Sequence, residues 1–253
     1  MSGNNKTRFV RFLFKLLFLN LHTLAQYPFE KYPAVRYAEY KHWAFTYSEK
    51  RNAMVAHMFI RGFFKNGDNL RIEIYTLDRA DTSYICLYRN KKLIRKIFES
   101  MYMIRRNISD EPLRVADING DSLKDIKLNV PYNGCGIAAM NCRTIYLFQD
   151  SAKGFRKISF MDKIAENRSE RDIDGDGNFE IITMTLQGHG DHNYWLFNLY
   201  NYKRGKLVNE NHKAEYPIMV QLLYRRNYKV TNKLSRKQIQ RYEMKLPQEY
   251  DQR

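Results

Sequence analysis

The chain has 253 residues and a formal net charge of +16, and 44% of its residues are hydrophobic and 14% aromatic. This apolar content is enough for a sizeable core, so the composition excludes a chain that is disordered throughout. The many Tyr and Phe residues favour β-strands. The excess of Lys and Arg indicates either a solvated basic surface or a surface that attracts an anionic partner. No recognised nucleic-acid-binding motif accompanies the charge, so nucleic acid is not the predicted partner.

The N-terminal segment, residues 1–25, differs from the rest of the chain. Basic residues precede an apolar run that begins at Phe12, and the small residues Thr23 and Ala25 stand before a candidate cleavage point. This pattern is typical of a secretory signal peptide and predicts a periplasmic or secreted protein. Because Lys15 interrupts the run, an amphipathic helix or a membrane anchor is the alternative, although a span needs about 20 apolar residues. Membrane contact is predicted only through this segment.

Two further segments are predicted to be helical, one near each end of the chain. The first is the tyrosine-rich stretch from Glu30 to Arg51, and the second runs from Lys233 to Met244. Both have apolar residues at spacings that are compatible with a helix.

Two nine-residue loops concentrate acidic residues in this basic chain. The first loop has oxygen donors at positions 1, 3, 5 and 9 and a backbone carbonyl expected at position 7: Asp117, Asn119, Asp121, Asp125 and Leu123. The second loop repeats this pattern: Asp172, Asp174, Asp176, Glu180 and Asn178. Oxygen donors arranged around one tight turn suit a hard cation such as Ca²⁺. The sequence therefore predicts two calcium sites, of which the second follows the pattern more closely.

The two loops differ at position 6, where a sharp turn favours glycine. The second loop has Gly177 there, whereas the first has Ser122, which adds backbone strain. For the first loop the alternative is an Asx-rich turn that needs no ion. An EF-hand is excluded because position 12, which requires a bidentate Glu, is Leu128 in one loop and Thr183 in the other.

Each acidic loop opens a repeated unit of metal loop, strand, loop, strand, turn and strand. The predicted strands after the two loops are 126–130, 144–148 and 155–158, then 181–186, 194–197 and 206–208. A weaker upstream copy has Phe64 and Ile72 at positions 1 and 9, so no ion is predicted there. We therefore expect an all-β fold with minor helix, an antiparallel β-repeat of propeller-like or sandwich form. One domain, 26–253, would contain units 64–110, 111–165 and 166–210 and a basic C-terminal extension.

The acidic loops resemble those of a known class of proteins. The motifs from Val115 to Asp125 and from Asp172 to Glu180 are similar to the calcium loops of FG-GAP and VCBS repeat proteins. The presence of two such loops in one chain is also similar to what is found in small exported bacterial calcium-binding proteins related to lysozyme inhibitors. The resemblance covers roughly residues 64–210 and implies a calcium-stabilised β module. It further implies an inhibitor or immunity protein of a cell-wall hydrolase.

The cysteines show no spacing typical of a zinc site. Cys135 and Cys142 bracket a short predicted loop, which an oxidising compartment can close as a disulfide, and two free thiols are the alternative. Cys86 lies in a predicted strand and is expected to be a buried free thiol.

The histidine loop, residues 188–192, is the one candidate for other chemistry. His189, Asp191 and His192 are predicted to form a solvated loop or part of a binding surface. Because the acidic clusters are better explained as ligands, we expect a non-enzymatic module that binds an envelope protein or an anionic glycan. The alternatives are an envelope hydrolase that uses this loop and a purely structural envelope protein.

Overall fold

The computed structural model describes residues 27–77, 82–103, 105–132, 134–150, 154–164, 168–223 and 229–253. The predicted signal peptide lies outside the described residues. Among the described residues, no helix has both the length and the apolar character needed to cross a membrane.

Three antiparallel sheets form the fold. Sheet A contains five strands in chain order: β2 (Ala44–Ser48), β3 (Ala53–Ile60), β4 (Leu70–Leu77), β5 (Ser83–Arg89) and β6 (Lys92–Glu99). Sheet B contains six strands in the order β1 (Ala38–Tyr40), β7 (Leu113–Ala116), β8 (Asp125–Pro131), β9 (Asn141–Asp150), β10 (Gly154–Lys163) and β15 (Asp251–Gln252). Sheet C contains β11 (Ile181–His189), β12 (His192–Lys203), β13 (Lys206–Asn209) and β14 (Ile218–Gln221). The long strand β12 pairs with the other three strands of sheet C.

Sheet B lies between sheets A and C and is buried on both faces. Along β9, Ile145 and Leu147 belong to the core shared with sheet A, whereas Tyr146 and Phe148 belong to the core shared with sheet C. This alternation follows from the pleat, which directs successive side chains to opposite faces. A third apolar cluster, which includes Phe197, covers the far face of sheet C. The mostly β, antiparallel, sandwich-like class expected from the sequence is confirmed.

Charged groups cross the boundary between sheets A and B and are fully paired. Glu99 at the end of β6 accepts from Arg143 Nε over 3.1 Å and from Lys157 Nζ over 2.9 Å. Lys157 also donates to Asp251 over 2.6 Å, which holds the C-terminal strand β15 against β10. Such charges are tolerated in a core only when they are paired in this way.

Two short α-helices are described: α1 (Arg105–Ile108) and α2 (Arg236–Gln240). The predicted helix from Glu30 to Arg51 is wrong, because this stretch forms β1, β2 and two single 3₁₀ turns. Its aromatic residues have strand propensity, and pairing with β7 and β3 decides the conformation. Near the C-terminus a helix does form, but it is shorter than predicted and begins with a capping box between Ser235 and Gln238.

Candidate metal centre

The second acidic loop brings three carboxylates together just before β11. Asp172, Asp174 and Asp176 each offer an oxygen, and these oxygens lie within 4.8 Å of one another. Hydrogen bonds within the loop hold this shape: Gly175 N donates to Asp172 Oδ1 and Asn178 N donates to Asp176 Oδ1, each over 2.8 Å. In the described part of the chain, no other three acidic, His or Cys side chains approach in this way.

The first acidic loop, between β7 and β8, folds its donors onto its own backbone. Asp117 Oδ2 accepts from Ser122 N over 2.7 Å, and Asp121 Oδ1 accepts from Leu123 N over 2.7 Å. Asn119 Oδ1 accepts from Asp121 N over 3.2 Å. Asp117 Oδ1 is buried and has no hydrogen-bond partner among the described residues. A cation in this loop would supply the interaction that this oxygen lacks.

Corresponding hydrogen bonds recur in the two loops. In both loops the amide at position 7 donates to the carboxylate at position 5. The carboxylate at position 9 accepts from the amide at position 2 in both: Ile118 N donates to Asp125 over 3.0 Å, and Ile173 N donates to Glu180 over 2.9 Å. The position 9 carboxylates, which we predicted as side-chain ligands, therefore also close the loops. Equivalent bonds at equivalent positions indicate that the two loops share one backbone design.

The two loops are in direct contact. Phe179 N in the second loop donates to Ile118 O in the first over 2.8 Å. The turns also touch, since a Cβ atom built on Gly120 would lie only 2.8 Å from Gly177 O. The contact joins sheet B to sheet C at the edge where both loops lie. A change of shape in one loop therefore alters its contact with the other loop.

Burial makes the carboxylate of Asp125 unfavourable in the ionised form. Burial, together with the charges of Asp121 and Asp117, raises the pKa of Asp125 to about 7, although amide hydrogen bonds oppose this change. A bound cation would favour the ionised form of the same group. The electrostatics of the first loop therefore fit a positively charged ligand.

Lys213 supplies part of the countercharge in the second loop. Its ammonium group donates to Asp174 and lies 3.4 Å from Glu180 Oε1. The hydrogen bond from Lys213 lowers the pKa of Asp174, whereas burial raises the pKa of Glu180. Among the described residues, Lys213 forms ion pairs with Asp174 and Glu180, whereas Asp172 and Asp176 form none, so the loop keeps a net negative charge. This donor set of oxygens fits a divalent cation.

Backbone strain at Ser122 provides a direct test of the first loop. Ser122 has φ +64°, in the left-handed region, while Gly177 at the equivalent position has φ +81°. We expect Ser122→Gly to raise the free energy of unfolding by about 1 kcal/mol, because glycine adopts this conformation without a Cβ clash. Urea denaturation measures the change. If Ser122→Gly did not raise the free energy of unfolding, backbone strain at Ser122 would be contradicted.

In the upstream copy of the loop, the carboxylate of Asp68 is paired with the guanidinium of Arg89. Asp68 accepts from Asn66, Asn90 and Arg89, with the Arg89 bond at 2.6 Å. These hydrogen bonds, with that from Asn66 the largest, lower the pKa of Asp68 to about 2. That this copy binds no metal stays a prediction.

The histidine loop is a tight turn at the end of a hairpin. His189 ends β11 and His192 begins β12, and the two are directly paired across the strands. His189 Nδ1 lies 2.8 Å from Tyr242 Oη, and His192 Nδ1 lies 3.4 Å from Gln221 Nε2, while Asp191 is exposed. Both rings are thus positioned by neighbouring segments of the C-terminal region.

The three cysteines are free thiols in this structure. Cys142 is buried on β9 with its sulfur 3.7 Å from Thr144 Oγ1, and Cys135 is exposed before a 3₁₀ turn. The disulfide between Cys135 and Cys142 stays a prediction. Cys86 is buried on β5, and burial raises the pKa of its thiol.

Sequence reasoning missed Lys213 and the buried carboxylate Glu170. Lys213 contacts a residue far from it in the sequence, and no local pattern marks it. Glu170 precedes the second loop and accepts from Lys127 over 2.6 Å and from Tyr37 over 2.5 Å. In the sequence, an acidic residue just before an acidic loop resembles one more ligand or a solvated charge. Only the packed structure shows that it anchors the loop.

The fold and the site define an antiparallel β protein with two adjoining acidic loops. Comparisons with protein-family models, with curated proteins and with solved structures gave no match to the chain.

Proposed function

We propose that this protein is a calcium-stabilised, non-enzymatic β module that acts outside the cytoplasm and binds an envelope protein or an anionic glycan. The observation that carries the calcium proposal is the approach of Asp172, Asp174 and Asp176 within 4.8 Å. Hard carboxylate oxygens in one loop suit Ca²⁺ better than ions that require nitrogen or sulfur ligands. An inhibitor of a cell-wall hydrolase is one form of such a module, and it is supported by the resemblance alone.

The geometry supports a structural role for the ions. Each loop leads into a buried strand, β8 or β11, and the loops touch through Phe179 and Ile118. An ion that neutralises the carboxylates would strengthen the junction of sheets B and C. Binding to the folded state alone stabilises that state by mass action.

The net charge of +16 supports an anionic partner. Positive surface potential raises the local concentration of anions and the rate of association. The proposed location outside the cytoplasm depends on the N-terminal segment. In modules outside the cytoplasm a calcium site can be weak, with Kd on the order of 10⁻⁴–10⁻³ M.

Removal of calcium is expected to lower the melting temperature. With a Kd on the order of 10⁻⁴ M, a site in about 5 mM calcium contributes roughly 2 kcal/mol to the free energy of unfolding. Asp176→Ala removes a central carboxylate, so we expect it to abolish most of the difference between calcium and EDTA. Differential scanning calorimetry measures the melting temperature under both conditions.

Asp110→Ala is the matched control for this experiment, because Asp110 is exposed and lies outside both loops. It should keep the full calcium response. A melting temperature of the unaltered protein that is the same in calcium and in EDTA would contradict the calcium proposal.

A further inference from the structure

A cleft of about 420 Å³ opens on the outer face of sheet A, away from the acidic loops. Its walls include Tyr75, Tyr84, Tyr88, Leu93, Arg51 and Lys96. This volume lies within the range of small-ligand sites in proteins.

The alternation of side chains along each strand places the cleft residues of β4 and β5 on the face of sheet A that points away from sheet B. On β4 and β5, the side chains of Ile72, Ile74 and Ile85 point into the core shared with sheet B. The intervening residues point outward, and the register sets Tyr75 directly opposite Tyr84. The cleft is therefore a regular feature of the sheet surface.

Two cations are held at the cleft by aromatic rings. The Arg51 guanidinium lies 4.4 Å from the ring centroid of Tyr75, and the Lys96 ammonium lies 4.3 Å from that of Tyr84. Such contacts position a cation but leave its charge uncompensated. In the part of the chain that the structure describes, neither Arg51 nor Lys96 forms an ion pair with a carboxylate.

Glu73, an acidic residue on the same face of β4 as Tyr75, is already compensated. Glu73 accepts from Tyr75 Oη over 2.6 Å and pairs with Arg71 at 3.3 Å. Among the described residues that line the cleft, none carries a carboxylate. The described lining of the cleft therefore carries two cations, Arg51 and Lys96, and no carboxylate, which suits an anionic ligand.

The remaining walls are apolar and aromatic. Leu93 is 47% exposed at the rim, and Cys86 is buried at the floor, opposite Glu73 and Lys96 in the strand register. A ligand for this cleft thus needs anionic groups for the two cations and an apolar surface for Leu93 and the tyrosine edges.

We propose that this cleft binds an acidic saccharide, with uronate carboxylates paired to Arg51 and Lys96 and sugar C–H groups against Leu93 and the edges of the tyrosine rings. This proposal rests on the proposed function of a binding module and names its site and ligand class. Single-stranded nucleic acid fits less well, because bases stack on open aromatic faces. Here Arg51 and Lys96 already lie over the rings of Tyr75 and Tyr84.

Titration calorimetry with a hyaluronan octasaccharide and its carboxyl-reduced form tests this assignment on the full chain in millimolar calcium. We expect the acidic form to bind and the reduced form to bind at least about 10-fold more weakly, as expected for lost charge-assisted hydrogen bonds. Arg51→Gln and Lys96→Gln should each weaken binding by about 10-fold. Lys237→Gln, which removes an exposed charge on α2 outside the cleft, should bind as the unaltered protein does.

Three results would overturn the assignment. These are undetectable binding of the octasaccharide by the unaltered protein, equal binding by the two cleft variants, and equal binding of the carboxyl-reduced form. Tighter binding of single-stranded dT8 that is lost in the cleft variants would assign the cleft to nucleic acid instead. The melting temperature in calcium and EDTA, recorded for the same proteins, keeps the two proposals separate. A normal calcium response without saccharide binding would refute only the proposed saccharide site. An absent calcium response would refute the proposal of a calcium-stabilised module.

Discussion

Replacing Glu170 with alanine is expected to lower the free energy of unfolding by about 3–5 kcal/mol, the loss typical of breaking a buried charge pair. Glu170 is 2% exposed and accepts from Lys127 Nζ over 2.6 Å, from Tyr37 Oη over 2.5 Å and from Tyr146 Oη. The substitution leaves a buried ammonium group and two buried hydroxyls without their acceptor. Urea denaturation with a two-state fit measures the loss.

The ionised form of Glu170 depends on these partners. Burial alone would raise the pKa of Glu170, but Lys127 and the hydrogen bonds from Tyr146 and Tyr37 outweigh it and lower the pKa. Glu170→Gln keeps one acceptor oxygen but not the charge, so we expect a smaller loss than for Glu170→Ala.

Glu39→Ala is the matched control, because Glu39 is an exposed partner of Arg114 at 3.1 Å. An exposed ion pair contributes about 0–1 kcal/mol. If Glu170→Ala destabilised the protein no more than Glu39→Ala does, the anchoring role of Glu170 would be wrong.

The second large effect is expected at Gly120, where the two acidic loops touch. Gly120 and Gly175 both occupy position 4 of their loops, with φ +74° and +77°. A Cβ atom on Gly175 would meet nothing within 4 Å, whereas one on Gly120 would lie 2.8 Å from Gly177 O. The two glycines therefore share the same backbone requirement and differ in the contact between loops.

We expect Gly175→Ala to cost about 1–2 kcal/mol for the left-handed backbone alone. Gly120→Ala should cost a further 1–3 kcal/mol, because the backbone of Gly177 must move to admit the methyl group. We also expect Gly120→Ala to reduce the calcium response of the second loop, measured as the difference in melting temperature between calcium and EDTA. If Gly120→Ala and Gly175→Ala lowered the free energy of unfolding equally, the contact between the loops would contribute nothing to stability.

Local patterns were sufficient for the strands that follow the two acidic loops, β8 to β13. Alternating and β-branched residues predicted the central parts of β8, β9 and β11. The helix predicted from Glu30 to Arg51 was wrong because the aromatic residues of this segment fit both a helical and a strand spacing. Pairing with β3 and β7, which lie later in the chain, settled the choice.

The acidic loops were also recognisable from a local sequence pattern. Their donors lie within nine consecutive residues, so spacing alone predicts that they surround one point. Spacing could not predict that Asp125 and Glu180 also close the loops through Ile118 N and Ile173 N. That arrangement depends on the burial of both carboxylates, which the sheets impose.

The sequence by itself determined the residues of the two acidic loops, the antiparallel β class and the basic charge, because each of these depends on composition or on neighbours along the chain. Only the tertiary structure decided that Gly120 meets Gly177, that Lys213 reaches Asp174, and that Arg51 and Lys96 lie over tyrosines. The physical reason is that these contacts join residues from different strands and loops. They form only when the sheets have packed.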